Sequence, residues 1–181
     1  MNVDDKIWTG CLMPDTSNAH VVNMQLTEED KHYLGGILDG EAGIWIGVSK
    51  DSTLRLDYRV EPKVEIGMKD TEETEVVKGL LAQACEDLDV THTFRDQDGD
   101  GYAWYFKIQS RSSVLTFLRA FVGYTRAKRN DVETILDVNW EHRWMDEDDF
   151  LEIMETRDEL RKNSNRDSKY SAEYFREEVF N

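Results

Sequence analysis

Leu34-Gly35-Gly36-Ile37-Leu38-Asp39-Gly40-Glu41-Ala42-Gly43 is the stretch on which the reading of this chain turns. It reads as the end of a helix. Tyr33, Leu34, Ile37 and Leu38 recur at helical spacing behind a start signal at Thr27-Glu28-Glu29-Asp30. Each glycine inside a helix costs about 1 kcal/mol relative to alanine. Gly36 and Gly40 stand four apart on one face, beside Leu34 and Ile37. Such a stripe lets two helix backbones approach closely, and packing then offsets the cost. Asp39 and Glu41 fall at the C-terminal end, where the helix dipole is already negative. Carboxylates gathered there without a local partner suit a hard cation. A nucleotide-binding loop is excluded, because GxGxxG and GxxxxGK[ST] are absent and a helix precedes the glycines where a strand is needed. An ordinary helix closing in an acidic turn stays open as the simpler reading of the segment.

Outward from this segment the period changes. Ile44, Ile46 and Val48 alternate with Trp45, Gly47 and Ser49, which predicts a strand, and a turn follows at Lys50–Thr53. Leu54, Leu56, Tyr58, Val60, Pro62, Val64, Ile66 and Met68 then share one face, with Arg55, Asp57, Arg59, Glu61, Lys63 and Glu65 on the other. That pattern predicts one strand, or two broken near Pro62, with a buried face and a wet face. A helix is expected from Thr71 to about Leu88, and a hairpin from Val90–Arg95 and Tyr102–Gln109. Further helices are expected over Ser113–Gly123, over Asp131–Trp140 behind the basic cluster Arg126-Ala127-Lys128-Arg129, from Asp146, and over Ser171–Val179. The order helix, two strands, helix, two strands, helices is an α+β pattern. The expected boundaries are an N-terminal arm over residues 1–25, a core domain over 26–140 and an acidic C-terminal helical extension over 141–181.

The bulk properties narrow the classes. The 181 residues fit one domain, and 39% hydrophobic content is enough for a real core. No apolar run is long enough to span a membrane, so no membrane partner is expected. Met1–Lys6 carries three charges with no apolar stretch after it, unlike a secretory signal. Cys11 and Cys85 lie far apart and match no zinc spacing, and a reducing cytoplasm is the simplest location. Asp96-Gln97-Asp98-Gly99-Asp100-Gly101 mimics the first half of an EF-hand loop, but Lys107 stands where the closing Glu belongs, so a hairpin turn is the better account.

The net charge of −16 argues against a phosphate-bearing partner when taken alone. Its distribution is uneven. Residues 45–69 hold five bases and four acids, whereas residues 141–181 hold seven and thirteen. A near-neutral patch therefore survives along the alternating strands. The acid excess also fits a halophilic host with a salt-rich cytosol, where repulsion is screened.

The glycine segment resembles the LAGLIDADG motif in its DGE version, with Leu34 through Ala42 aligned to the motif letters. The order of elements resembles that family over most of the chain. The resemblance implies an αββαββα core, a twisted antiparallel DNA-binding saddle and extra C-terminal helices. It implies a single-motif homodimeric homing endonuclease: a Mg²⁺-dependent, site-specific hydrolase acting on a long, roughly palindromic duplex, of the kind encoded within introns or inteins. Glu41 matches the metal-binding catalytic acid, one from each subunit. Leu34, Gly36, Ile37 and Gly40 match the contact between paired helices. Lys69, next to Met68, falls near the position of a polar water-organising residue. Arg126 or Lys128 matches the base that stabilises phosphate charge. Ala42 replaces the usual motif glycine, and the acidity is atypical of the family.

On this resemblance the wet strand face becomes a surface for reading bases. Ser49, Asp51, Thr53, Arg55, Asp57, Arg59, Glu61, Lys63 and Glu65 are its candidates on the first hairpin. Thr91, Thr93, Arg95, Tyr105 and Lys107 are those on the second. Arginine and lysine can read guanine, and a carboxylate can accept from cytosine N4. Two other classes compete with the enzyme: a relative that binds DNA or RNA without cutting, as a splicing maturase or regulator, and an acidic protein-interaction domain, which leaves the glycine helix unexplained.

Overall fold

A computed structural model of the chain describes residues 25–69, 71–96, 104–140, 145–162 and 169–180. The predicted arm at 1–25 (but for Gln25) and most of the Asp96–Gly101 turn lie outside the described residues.

Helix α1 spans Glu28–Glu41 and opens on a reciprocal cap. The Thr27 hydroxyl accepts the Asp30 N–H, and the Asp30 carboxylate accepts the Thr27 N–H. β1 (Ala42–Lys50) follows without a break and pairs antiparallel with β2 (Tyr58–Met68). α2 (Glu72–Asp87) begins on a similar cap at Thr71, and β3 (His92–Asp96) and β4 (Trp104–Ile108) form the second hairpin. The sheet order is β1-β2-β4-β3, all neighbours antiparallel, so β1 and β3 are its edges. α3 (Arg111–Phe121), α4 (Arg129–Asp137), α5 (Glu147–Arg161) and the short α6 (Ala172–Tyr174), which runs on into a wider turn at Phe175–Val179, complete the chain.

The period-two pattern is realised with a shorter strand than expected. β2 starts at Tyr58, and the segment from Asp51 to Asp57 is a loop closed by the Asp51 N–H on the Asp57 carbonyl at 2.8 Å. Asp57 reverses the chain with φ of 58°, a left-handed conformation that Asp tolerates better than most residues. Pro62 does not break the strand. The paired residues Ala42 and Ile46 turn their carbonyls away from β2, so Pro62, opposite Ile46, directs its nitrogen away from β1. β4 pairs only with Glu65–Met68 and does not reach that far, so no ladder bond is lost. The Val60 carbonyl, on the same side, is taken by Arg111 Nη2 at 3.3 Å.

One face of the sheet carries the core. Ile46, Val60, Val64, Ile66, Phe106 and Ile108 are buried there with Leu34 and Leu38 of α1, Leu81 of α2 and Phe117 of α3. The C-terminal helices join this core: the Tyr58 ring meets Phe175 edge-on at 4.8 Å and Phe150 at 6.4 Å. Arg157 of α5, nearly buried, donates to the Ile46 carbonyl of β1 at 3.2 Å and to the Tyr170 carbonyl at 2.6 Å. α4 ends at Asp137, three residues short of Trp140, whose indole folds back onto the Ile135 carbonyl at 2.8 Å.

Candidate active site and nucleic-acid face

Two faces of α1 have opposite fates. Leu34 and Leu38 are fully buried in the chain's own core. Gly35 also faces inward: a Cβ built there would stand 2.3 Å from the Tyr124 carbonyl oxygen. Leu34 was expected beside Gly36 on the helix-pairing face, and its burial within its own chain corrects that placement. The outward stripe is Tyr33, Gly36, Ile37 and Gly40. Tyr33 is exposed, Ile37 is half-buried, and a Cβ at Gly36 or Gly40 would meet nothing within 4 Å.

At the foot of that stripe α1 gives way to β1, and the joint is held from outside. α1 has no basic residue in its last turn to serve its carbonyls. Lys128 supplies the charge instead, its ammonium donating to the carbonyls of Leu38 at 2.9 Å and Ala42 at 2.5 Å. Burial lowers the Lys128 pKa, opposed by the negative charges of Asp39, Glu41 and Asp131. Asp39 answers in kind and accepts the backbone N–H of Arg126 at 2.7 Å and of Lys128 at 3.0 Å. Burial works to raise the Asp39 pKa, but the peptide N–H groups of Lys128, Arg126 and Ala127 outweigh it and hold the carboxyl below its ordinary value. Asp39 therefore has local partners, contrary to the sequence expectation of an unpartnered acidic pair.

Glu41 differs. It is exposed, and among the described residues its carboxylate makes no hydrogen bond or ion pair. Lys128 is near enough for its charge to be felt. Arg126 is exposed in the same turn. Lys69 stands exposed just past β2, three residues beyond Ile66, the partner of Ala42, and its carbonyl accepts the Thr74 hydroxyl at 2.5 Å. Among the described residues no three His, Cys, Asp or Glu gather as a metal-binding group. Among the described residues, this end of α1 thus offers a hard cation one carboxylate without a hydrogen bond or ion pair, that of Glu41. Magnesium prefers six oxygens, commonly one or two carboxylates with substrate phosphates and water. The donor chemistry fits, with the remaining oxygens supplied from outside the chain.

The outer sheet face carries Trp45, Gly47 and Ser49 of β1, Arg59, Glu61, Lys63 and Glu65 of β2, Tyr105 and Lys107 of β4, and Thr93 and Arg95 of β3. Its charges are linked. Arg59 bonds Asp51 through Nε at 2.9 Å and reaches Glu61 at 3.3 Å, and Lys63 bonds Glu61 at 2.6 Å. Glu65 pairs with Lys107 at 3.3 Å and accepts the Tyr105 hydroxyl. The Thr93 hydroxyl accepts from Gln109, and Thr91 lies just before β3 with its N–H on Ser113. Asp51, Thr53, Arg55 and Asp57 were expected on the strand face; they sit in the β1–β2 loop, because the strand starts later. Asp51 is the loop's tether. The Thr53 hydroxyl, then Arg59, hold its carboxyl down at about 2.

Two features were missed in the sequence. Trp45 lies on the outer face, its ring so close over Gly43 that a Cβ there would meet it at 2.7 Å, and it lines the cleft that Lys128 also lines. Its parity with Ser49 was the available signal. Arg157 anchors β1, and its signal was an arginine in phase with the apolar residues Phe150, Ile153 and Met154.

No protein-family model matches the sequence, and no curated protein does. Solved structures do. The homing endonuclease I-CvuI, in complex with the I-CreI target in the presence of Mg, superposes with a TM-score of 0.68 at 18% identity over 83% of this chain and 94% of that one. The archaeal intron-encoded homing endonuclease I-Vdi141I, complexed with DNA, gives 0.62 at 17% identity over 81% and 93%. The I-LtrWI LAGLIDADG homing endonuclease bound to target DNA gives 0.58 at 18% identity over 78% of this chain but only 47% of that one. The chain has the LAGLIDADG homing-endonuclease fold. In this fold the glycine-bearing helix is α1, the face of the β1-β2-β4-β3 sheet away from the core is the outer one, and Glu41 ends α1. Among the described residues no helix is long and apolar enough to cross a membrane.

Proposed function

We propose that this chain is a site-specific DNA endonuclease that works as a homodimer and hydrolyses a phosphodiester in each strand of its duplex with Mg²⁺. The observation that carries the reading is the exposed Glu41 carboxylate at the foot of the bare Gly36–Gly40 stripe. Pairing two such stripes brings two Glu41 side chains to one place, which a single chain cannot do. Metal held there would activate water and stabilise the leaving oxygen. In this chain Glu41 binds, Lys128 holds positive charge beside it, and the Asp39 joint fixes the height at which both stand. Lys69 and Arg126 are the further candidates for ordering water and neutralising phosphate. The half-length match to I-LtrWI supports the two-chain arrangement, since this chain spans 47% of that protein. A twofold protein reads a roughly palindromic site. Mobility with a host intron or intein, and life in a salt-rich cytosol, belong to the same reading.

The second reading is a DNA- or RNA-binding relative that does not cut. It is favoured by the tie between the Lys128 ammonium and two backbone carbonyls, which occupies a base the chemistry would use. Cleavage of a randomised duplex library with Mg²⁺, at matched salt, separates the two. The enzyme cuts, and Glu41→Gln binds without cutting. Equal cutting by both removes Glu41 from the chemistry. Binding without cutting by either establishes the second reading.

A further inference from the structure

Strand alternation puts Gly43, Trp45, Gly47 and Ser49 of β1 on the outer sheet face, while Ala42 and Ile46 are buried on the other. Gly43 and Gly47 bring no side chain to that face, so Trp45 is the first side chain that β1 places there. Its half-buried ring folds back over Gly43, where a Cβ would meet Cζ3 at 2.7 Å and Cε3 at 3.2 Å. Lys63, its partner across the strands, leans the other way. A Cβ at Gly47 would meet the Lys63 Cε at 3.1 Å, and the ammonium goes on to Glu61 at 2.6 Å. Among the described residues no ring and no cation stacks on the Trp45 indole, and its N–H makes no hydrogen bond.

The rest of this face is polar and already engaged. Arg59, Glu61 and Lys63 are linked, Glu65 holds Lys107, and Tyr105, the other aromatic there, gives its hydroxyl to Glu65. Trp45 thus leaves a large apolar surface open among charges. On a face that meets nucleic acid, such a ring can wedge between base steps, stack on bases of a single strand, or touch a base edge in the major groove. A wedge has to stand out from the sheet, and this ring folds down over Gly43. Single strands are held by stacking successive bases on several rings; here one ring is unengaged. Groove contact remains, and the apolar feature that a duplex shows in its major groove is the C5-methyl group of thymine.

We propose that Trp45 is a specificity-determining residue whose indole packs against the C5-methyl group of a thymine in the bound duplex. It rests on the reading of the outer face as the duplex-binding one. Duplexes that bind the protein are selected from a randomised library without divalent metal, so that nothing is cut. Each thymine of the selected site is then replaced by deoxyuridine, which removes the methyl group and keeps the pairing edge. The wild type loses affinity about fourfold per methyl at one symmetric pair of positions. Trp45→Ala loses nothing there, and Trp45→Leu, which keeps an apolar contact, loses an intermediate amount. A second arm needs no variant: 5-iodouracil at the same positions photo-crosslinks to the wild type, and the crosslinked peptide contains Trp45. A site selected without thymine, a deoxyuridine loss equal in wild type and Trp45→Ala, or a crosslink elsewhere overturns the proposal and leaves the nucleic-acid reading standing. Weaker self-association of Trp45→Ala with its methyl discrimination intact overturns it in favour of contact with a second subunit. Tighter binding of a single strand than of a duplex, lost in Trp45→Ala, overturns it in favour of base stacking. A wild type that binds no nucleic acid removes both the proposal and the reading beneath it.

Discussion

Asp39 and Lys128 close one joint from both sides: the Asp39 carboxylate accepts the Lys128 backbone N–H at 3.0 Å, and the Lys128 ammonium reaches the carbonyls of Leu38 and Ala42, which bracket Asp39 in sequence. Glu41 sits inside this bracket, so its position depends on a turn some ninety residues away, at 87 from Asp39 to Arg126.

Removing the carboxylate should loosen that joint. Asp39→Ala is expected to lower unfolding free energy by roughly 2 kcal/mol, from two lost charge-assisted bonds at a half-exposed site. Asp39→Asn keeps one good acceptor and should lose about half as much. Urea denaturation of the three proteins measures this; indistinguishable midpoints would mean that the turn is held by other contacts.

The loop tether gives a pH prediction. Asp51 is depressed to about 2. A carboxylate depressed by folding adds stability above its ordinary value of about 3.9, and that contribution fades as pH falls through the folded value. The window thus runs from about 4 down to about 2. Carbon-detected NMR of the Asp51 carboxyl should show the low midpoint, raised in Thr53→Ala and in Arg59→Gln. A wild-type midpoint near 4 would contradict the tether.

The glycines of α1 should divide by face. Gly35→Ala drives a methyl into the Tyr124 carbonyl and should cost about 3 kcal/mol. Gly36→Ala and Gly40→Ala meet nothing in the single chain, so each should stabilise the monomer by about 1 kcal/mol. If these glycines seat a twin helix, the same changes weaken self-association. Sedimentation at graded concentration beside thermal melts reads both effects, and unaltered association in the double variant would exclude the pairing.

Acids on the saddle should restrain DNA binding. Glu65 holds Lys107 and Tyr105. Glu65→Gln is expected to release Lys107, raise duplex affinity several-fold at low salt and steepen the salt dependence. Glu86→Gln, on α2, serves as the control for net charge alone. Equal gains from both would mean that Glu65 acts only through bulk charge.

The acid excess predicts a protein that prefers salt. With net charge −16, repulsion is unscreened in dilute buffer and nearly abolished at molar ionic strength. Melting temperature should rise markedly from dilute buffer to molar KCl. Equal stability in dilute buffer would count against a halophilic setting.

Much of the fold was legible because its signals are local. The Thr27–Asp30 cap, the β2 alternation and the glycine segment each declare themselves within a few residues. The start of β2 was not, since Leu54 and Leu56 continue the alternation while Asp57 turns the chain. The faces of α1 were half legible. Leu34 and Gly36 are two residues apart, which on a helix puts them on different sides, and the apolar pattern alone did not say which side belongs to the chain's own core. The partners of Asp39 were beyond reach, because peptide N–H groups carry no side-chain signature.

The bond from Arg157 to Ile46 spans 111 residues of sequence. During synthesis, β1 and β2 are complete long before their edge receives that arginine, and contacts of such separation close late. Until then the Ile46 end of that strand margin stands uncovered in the nascent chain, with Lys128 able to reach only the Ala42 end, so the growing protein is most exposed to mispairing before α5 is made.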